Sequence, residues 1–136
     1  MKKLYKLICS LVLIFTLLPM NVTATDEPIL QKAHATAYCQ SGTMASGQQT
    51  RDGVCAGAKE YLGCVIVVYQ RLPDDSIGDY IGTWECLDTG GTDGLKNGTV
   101  IDVWQQDLES CQNFMDLIYE DGCQGKVYIQ VIEGEG

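Results

Sequence analysis

Alternating and continuous apolar segments predict a domain built mainly from β-strands. The β-branched and aromatic run at 65–69 indicates a strand that is buried on both faces. A turn-like segment at 71–76 separates it from the strand candidate at 78–87, so these two strands are expected to form a hairpin. Further strand candidates lie at 33–39, 100–104 and 126–132.

One helix is predicted between the last two strands. Asp107 is suited to cap its N-terminus, and Glu109 favours the positive end of the helix dipole. Gly122 marks its end. The many short strands around this helix favour a small barrel over an open sheet. The apolar residues at helical spacing are Leu108, Cys111, Met115 and Ile118.

The N-terminus has the pattern of a secretory signal peptide. Three lysines within the first six residues precede an apolar run at 7–18, which is too short to span a bilayer with these flanks. Cleavage is expected after Ala24, which gives a signal peptide at 1–24, a short leader at 25–32 and one folded domain at 33–136. We therefore expect a secreted protein, extracellular or associated with a bacterial cell wall.

Charge narrows the classes of partner. The chain has 9 basic and 18 acidic residues, and the signal carries three of the lysines, so the mature 112 residues have a net charge of −12. Nucleic acid and anionic lipid would repel such a protein. We expect no nucleic-acid partner, no membrane attachment after signal cleavage, no cofactor and a monomeric state.

Six cysteines remain after Cys9 is removed with the signal. An even number in a short exported chain suits as many as three disulfides, although 15 pairings are possible. A metal site is disfavoured by the wide spacing and the single histidine, while free cysteines packed as small apolar side chains stay possible. The six disulfide candidates are Cys39, Cys55, Cys64, Cys86, Cys111 and Cys123.

Two aspartates carry the candidate chemistry. Asp88 is followed by Thr89, Gly90 and Gly91, which allow a tight turn with exposed N–H groups. Asp102 alternates with apolar neighbours and therefore projects from the opposite strand face. By pattern alone, an Asx-type turn and a solvent-exposed carboxylate are the simpler interpretation. An aspartic protease would need a second such motif, which only a symmetric dimer could supply.

Four stretches of the chain, at 35–38, 50–56, 88–91 and 96–104, resemble in order the motifs of the three-aspartate (3D) domain. This double-psi β-barrel occurs in bacterial cell-wall proteins and in the catalytic region of the MltA type of lytic transglycosylase. The resemblance covers roughly 33–132. It implies a mainly β fold, namely a six-stranded double-psi β-barrel with one short α-helix.

The chain departs from the family pattern at two places. The family carries its first aspartate shortly after the second strand, and the matching place at 57–59 has no carboxylate. Asp52 and Glu60 lie nearby but do not align with it. In addition, the segment 92–94 lengthens the interval between Asp88 and Asp102.

The resemblance implies that Asp102 is the catalytic acid and later the base, with Asp88 beside it. The substrate would be peptidoglycan, cleaved between MurNAc and GlcNAc. One carboxylate suffices because the muramyl 6-hydroxyl attacks the anomeric carbon. The acid must be protonated at neutral pH, so a raised pKa is expected for Asp102, from its neighbours Ile101 and Val103 and from Asp88. The substrate contacts implied are Tyr38, Thr89, Gly90, Gly91 and Trp104.

The missing first aspartate leaves a second function open. A non-catalytic barrel that binds peptidoglycan or another glycan would need the groove but not the acid. Fold alone does not choose between the two functions.

Overall fold

Residues 28–134 are described by a computed structural model, so the predicted signal peptide lies outside the described residues. The helices are α1 (Asp93–Asn97) and α2 (Leu108–Tyr119). Single 3-10 turns occupy Lys59–Tyr61 and Glu120–Gly122. The strands are β1 (Gln31–Tyr38), β2 (Val54–Gly57), β3 (Val65–Arg71), β4 (Ile77–Thr89), β5 (Val100–Trp104) and β6 (Lys126–Ile132).

The six strands close into a barrel with the order β1-β5-β2-β4-β3-β6. The pairs β1/β5 and β2/β4 are parallel, and the other four pairs are antiparallel. If β1, β2 and β3 exchange places with β4, β5 and β6 respectively, every strand in the barrel keeps an equivalent pair of neighbours. The two halves are therefore topologically equivalent, which is the double-psi arrangement, and the predicted fold class is confirmed.

The predicted hairpin is present, since β3 and β4 pair antiparallel around a turn in which the Leu72 amide donates to the Ser76 carbonyl at 2.9 Å. The prediction that β3 is buried on both faces is wrong. Ile66 and Val68 are fully buried, whereas Val65 and Val67 are partly exposed. A barrel strand has one face in the core, and β3 has no complete second layer over its other face.

The core fills the barrel and extends to α2. The Asp107 carboxylate caps this helix by accepting from the Ser110 amide at 2.8 Å, as predicted. The predicted apolar stripe is only partly correct, because Leu108 is 77% exposed and Phe114, which the stripe omits, is buried. Phe114 contacts Trp84 edge to face, which sets the rotation of the helix. The core side chains include Ile66, Val68, Ile101, Val103, Phe114, Ile118, Val127 and Ile129.

Two further elements differ from the sequence-based expectation. β1 begins at Gln31, so the last two residues of the predicted leader pair with β6. The segment expected to be an insertion begins α1, whose first turn is capped by the Thr92 hydroxyl at 3.4 Å from the Leu95 amide. Gly98 ends α1 in the left-handed region with φ of 81°.

All six described cysteines are free thiols, so residues 28–134 contain none of the predicted disulfides. Four of them are buried and pack as small apolar side chains, namely Cys55, Cys64, Cys86 and Cys123. Two pairs of thiols are neighbours. Cys55 and Cys86 face each other across β2 and β4, and Cys39 meets Cys111 of α2.

Candidate functional site

Asp88 and Asp102 flank the same residue of β2. Ala56 pairs with Asp102 of β5 on one side and with Asp88 of β4 on the other. Residues paired across neighbouring strands point to the same face, and two strand spacings put these two backbones about 10 Å apart. Ile101 and Val103, on either side of Asp102, point into the core. Both carboxylates therefore project from the outer face of the barrel.

Asp88 is held by three hydrogen-bond donors. Its Oδ1 accepts from the Ala45 amide at 3.0 Å and from the Thr89 amide at 2.9 Å. Its Oδ2 accepts from the Tyr38 hydroxyl at 3.4 Å. The only local contact of Asp88 in this set is with the amide of the next residue, still within β4, so it does not form the expected Asx-type turn. Its other two contacts tie the loop at 40–50 and β1 to the end of β4.

Asp102 is half-buried and has one fixed oxygen. Its Oδ1 accepts from the Thr36 hydroxyl at 2.8 Å, across the parallel β1/β5 pair. Its Oδ2 has no hydrogen-bond partner within the described part of the chain. Desolvation by burial raises the pKa of Asp102, the negative charge of Asp88 raises it further, and the Thr36 hydrogen bond opposes the change. The direction agrees with the expected one.

The causes of this shift differ in part from those expected. Ile101 and Val103 do not desolvate Asp102 directly, because they face the core. The Tyr38 hydroxyl does lie close to both carboxylates. Burial raises the pKa of Tyr38, and the two negative charges add to the effect, so its hydroxyl stays a proton donor to Asp88 at neutral pH.

Trp104 supports the site from within the protein. It packs with Met44, Val54 and Leu87 in a second apolar cluster, against which Tyr38 also packs. Its indole Nε1 donates to the Gln40 carbonyl at 3.0 Å. Because only 8% of Trp104 is exposed, it cannot offer the stacking face predicted for a substrate contact. The loop at 40–50 covers it.

A cleft of about 470 Å³ lies beside Asp88. Of the predicted substrate contacts, Thr89 and Gly90 line this cleft, and Gly91 is an exposed neighbour. The remaining lining residues are Ala45, Gly57, Leu62 and two lysines, Lys59 and Lys96.

The site contains residues that the sequence interpretation missed. Thr36 shares its strand face with Tyr38, a signal visible in the alternation of β1. Lys59 lies at the end of the segment 57–59, where the resemblance expects the first aspartate. Lys96 depends on α1, which was not predicted. The bond from Ala45 to Asp88 has no sequence signal, because 43 positions separate the two residues.

Two other kinds of site are absent from the described residues. Residues 28–134 contain no group of three or more His, Cys, Asp or Glu side chains arranged to hold a metal ion. Among the helices described, none has the length and apolar character needed to cross a membrane.

No known protein-family model matches this chain, and no curated protein resembles it at a significant level. Among solved structures, the Streptomyces papain inhibitor is similar, with 16% sequence identity and a TM-score of 0.47. The alignment covers 79% of this chain and 100% of that chain. This likeness is too weak to carry an argument, and the resemblance to the three-aspartate domain stays a prediction.

Proposed function

We propose that this protein cleaves the glycan strands of peptidoglycan in a reaction of the lytic transglycosylase type, with Asp102 as the acid and base. The observation that carries the proposal is the state of Asp102. It combines a pKa raised by burial, one oxygen oriented by Thr36 and one oxygen that accepts no hydrogen bond within residues 28–134. A raised pKa favours the protonated form that a general acid needs, and an oxygen without a hydrogen-bond partner can present the proton to a substrate.

The reaction requires only one titrating carboxylate. Protonated Asp102 donates its proton to the glycosidic oxygen as the bond to the anomeric carbon breaks. The muramyl 6-hydroxyl then attacks that carbon, and the Asp102 carboxylate takes the hydroxyl proton, which restores the acid. The negative charge of Asp88, fixed by three donors, lies where it can stabilise the oxocarbenium-like transition state.

A second candidate function is glycan binding without catalysis. The observation that favours it is the segment 57–59, which has a lysine and no carboxylate where the resemblance expects the first aspartate. If that carboxylate is required for turnover, the groove would retain affinity for the glycan and lose the reaction.

Digestion of purified sacculi tests the two functions. We expect wild-type protein to release 1,6-anhydromuropeptides, detected by mass spectrometry, and Asp102→Asn to release at least about 100-fold less, as for loss of a general acid. Asp79→Asn is the matched control, because Asp79 is an exposed carboxylate on β4, the strand that carries Asp88.

Two results would redirect the assignment. Sacculus binding by wild type without any product would reject cleavage and support the binding function. Products with a free reducing end would indicate hydrolysis, which needs a second carboxylate. Glu60 and Glu85 are the carboxylates to test first for that role, although Glu85 lies 3.8 Å from Arg51 in an ion pair.

We propose that the protein acts after export, as a monomer at the cell wall. The predicted signal peptide and the net charge of −12 expected for the mature chain support this location. Peptidoglycan strands are the partner that the proposed reaction requires.

We also propose that the exported protein forms a disulfide between Cys39 and Cys111. Their thiols are already neighbours and both are partly exposed, so an exchange partner can reach them. In the exchange, each thiol loses one hydrogen and the disulfide of the partner is reduced to two thiols. Cys55 and Cys86 also adjoin but are fully buried, and we expect them to stay reduced.

A further inference from the structure

The basic residues of the described chain fall into two groups. Lys32, Arg51 and Arg71 each have a carboxylate within 4.0 Å. The other three basic side chains of residues 28–134 have no such partner, although acidic residues outnumber basic ones in this segment. They are Lys59, Lys96 and Lys126. Two of these three, Lys59 and Lys96, line the cleft beside Asp88.

The two lysines are carried by elements that pack together. Lys59 begins the 3-10 turn after β2, and Lys96 lies on α1. Tyr61 of the turn contacts Gly98 at the end of α1, where an added Cβ would lie 2.6 Å from the tyrosine hydroxyl oxygen. The relative position of the two lysine backbones is therefore set by packing, and the cationic side chains converge on one concave surface.

Two glycines line the cleft where the protein behind them is closely packed. An added Cβ at Gly57 would lie 3.1 Å from Cys86 Sγ, and one at Gly90 would collide with Leu95. Because Cys86 and Leu95 are buried, these two positions have no room for a side chain, and backbone forms the cleft wall there. The volume of about 470 Å³ lies within the range of roughly 300–1,000 Å³ that small-molecule sites occupy.

The cleft adjoins Asp88. Thr89 and Gly90 follow Asp88 directly, and the Ala45 amide that binds Asp88 belongs to a residue that lines the cleft. A ligand in the cleft therefore lies beside the two lysines and next to Asp88.

We propose that this cleft binds carboxylate groups of the ligand through Lys59 and Lys96. The inference rests on the proposed function for the identity of the ligand, which is then the acidic peptide attached to the muramyl lactyl group. Two unpaired cations in a concave site attract carboxylates locally, although the net charge of the protein repels them at long range. The cleft thus selects muramyl residues that carry an acidic peptide over uncharged sugars.

The binding of N-acetylmuramyl-L-alanyl-D-glutamate and of its diamide tests the proposal. We expect the wild-type protein to bind the dicarboxylate more tightly than the diamide, with a difference that shrinks when salt is raised. The double variant Lys59→Gln/Lys96→Gln should weaken dicarboxylate binding about 2- to 30-fold and leave diamide binding unchanged, as for two ion pairs made by exposed lysines. Lys126→Gln is the control, since Lys126 is also unpaired but does not line the cleft.

Two results would overturn the inference. One is equal affinity of wild type for the dicarboxylate and the diamide. The other is an equal loss of affinity in Lys126→Gln and in the double variant. Its failure is distinguishable from failure of the proposed function. Carboxylate-dependent binding without sacculus cleavage would remove only the reaction, and cleavage with charge-independent binding would remove only the subsite.

Discussion

Replacement of Gly90 by alanine should destabilise the protein, whereas the same change at Gly91 should not. A Cβ at Gly90 would collide with Leu95 Cδ1 and lie 3.2 Å from Leu95 Cγ, while a Cβ at Gly91 meets nothing within 4 Å. Neither glycine has a positive φ, so backbone strain does not enter the comparison. Leu95 is only 7% exposed and is the buried residue of α1, so it has little room to move away.

The expected magnitudes follow from packing and chain entropy. Overpacking costs about 1–3 kcal/mol, whereas a Gly-to-Ala change stabilises by about 0.4–1 kcal/mol through the unfolded chain. Gly90→Ala should therefore lose roughly 0.5–2 kcal/mol of unfolding free energy, and Gly91→Ala should gain about 0.5 kcal/mol. For a domain of this size, each kcal/mol shifts Tm by about 4 °C.

Urea unfolding followed by tryptophan fluorescence measures both variants. The cause is isolated by repeating Gly90→Ala in a Leu95→Ala background, where the collision is removed and the added cost should disappear. The reasoning is refuted if Gly90→Ala is as stable as Gly91→Ala. An equal cost of Gly90→Ala with and without the Leu95 side chain would also refute it.

Three further predictions concern the site and the thiols. Because the pKa of Asp102 is raised in the folded state, its ionisation removes stability as pH rises through that pKa. Thermal unfolding should therefore show that the stability of Asp102→Asn, relative to wild type, increases from pH 4 to pH 7. A difference in stability between the two proteins that does not change with pH would contradict this. The Thr36 hydroxyl lowers the pKa of Asp102, so Thr36→Val should raise that pKa in a carboxyl NMR titration, while Thr36→Ser, which keeps the hydroxyl, should not. After exposure to oxidised glutathione, peptide mapping should find a Cys39–Cys111 cross-link, with Cys55 still reduced. This link spans 72 positions and should stabilise the folded protein by about 4 kcal/mol in the chain-entropy model. A cross-link at Cys55 would contradict the expectation.

Local pattern was sufficient for much of the secondary structure. The alternation in 100–104 and 126–132 predicts β5 and β6 with the bounds they have. Asp107 predicts the start of α2, because an N-cap contact involves residues only three positions apart. The hairpin of β3 and β4 is likewise a contact between consecutive segments, and the double-psi topology followed from the order of the resembling motifs.

The composition of the site could be predicted only in part. Asp88 and Asp102 were identified by sequence, and they do share one face of the barrel. Their partners Thr36 and Ala45 were not, because those contacts form across strands and loops that are distant in the chain. Trp104 was assigned to the substrate because it adjoins a motif of the resembling family. Its burial was not predictable, because it depends on how the loop at 40–50 folds over the indole.

The sequence pattern by itself determined five of the six strands, where the main helix begins and which two carboxylates are candidates, because those properties depend on neighbours a few residues apart. Only the tertiary structure decided that Asp102 is desolvated and bound by Thr36, that Lys59 and Lys96 meet in one cleft and that Gly90 has no space for a side chain. Closure of the barrel brings β1, β2, β4 and β5 side by side. Solvation, charge proximity and steric overlap depend on that closure, since the atoms involved come from different strands.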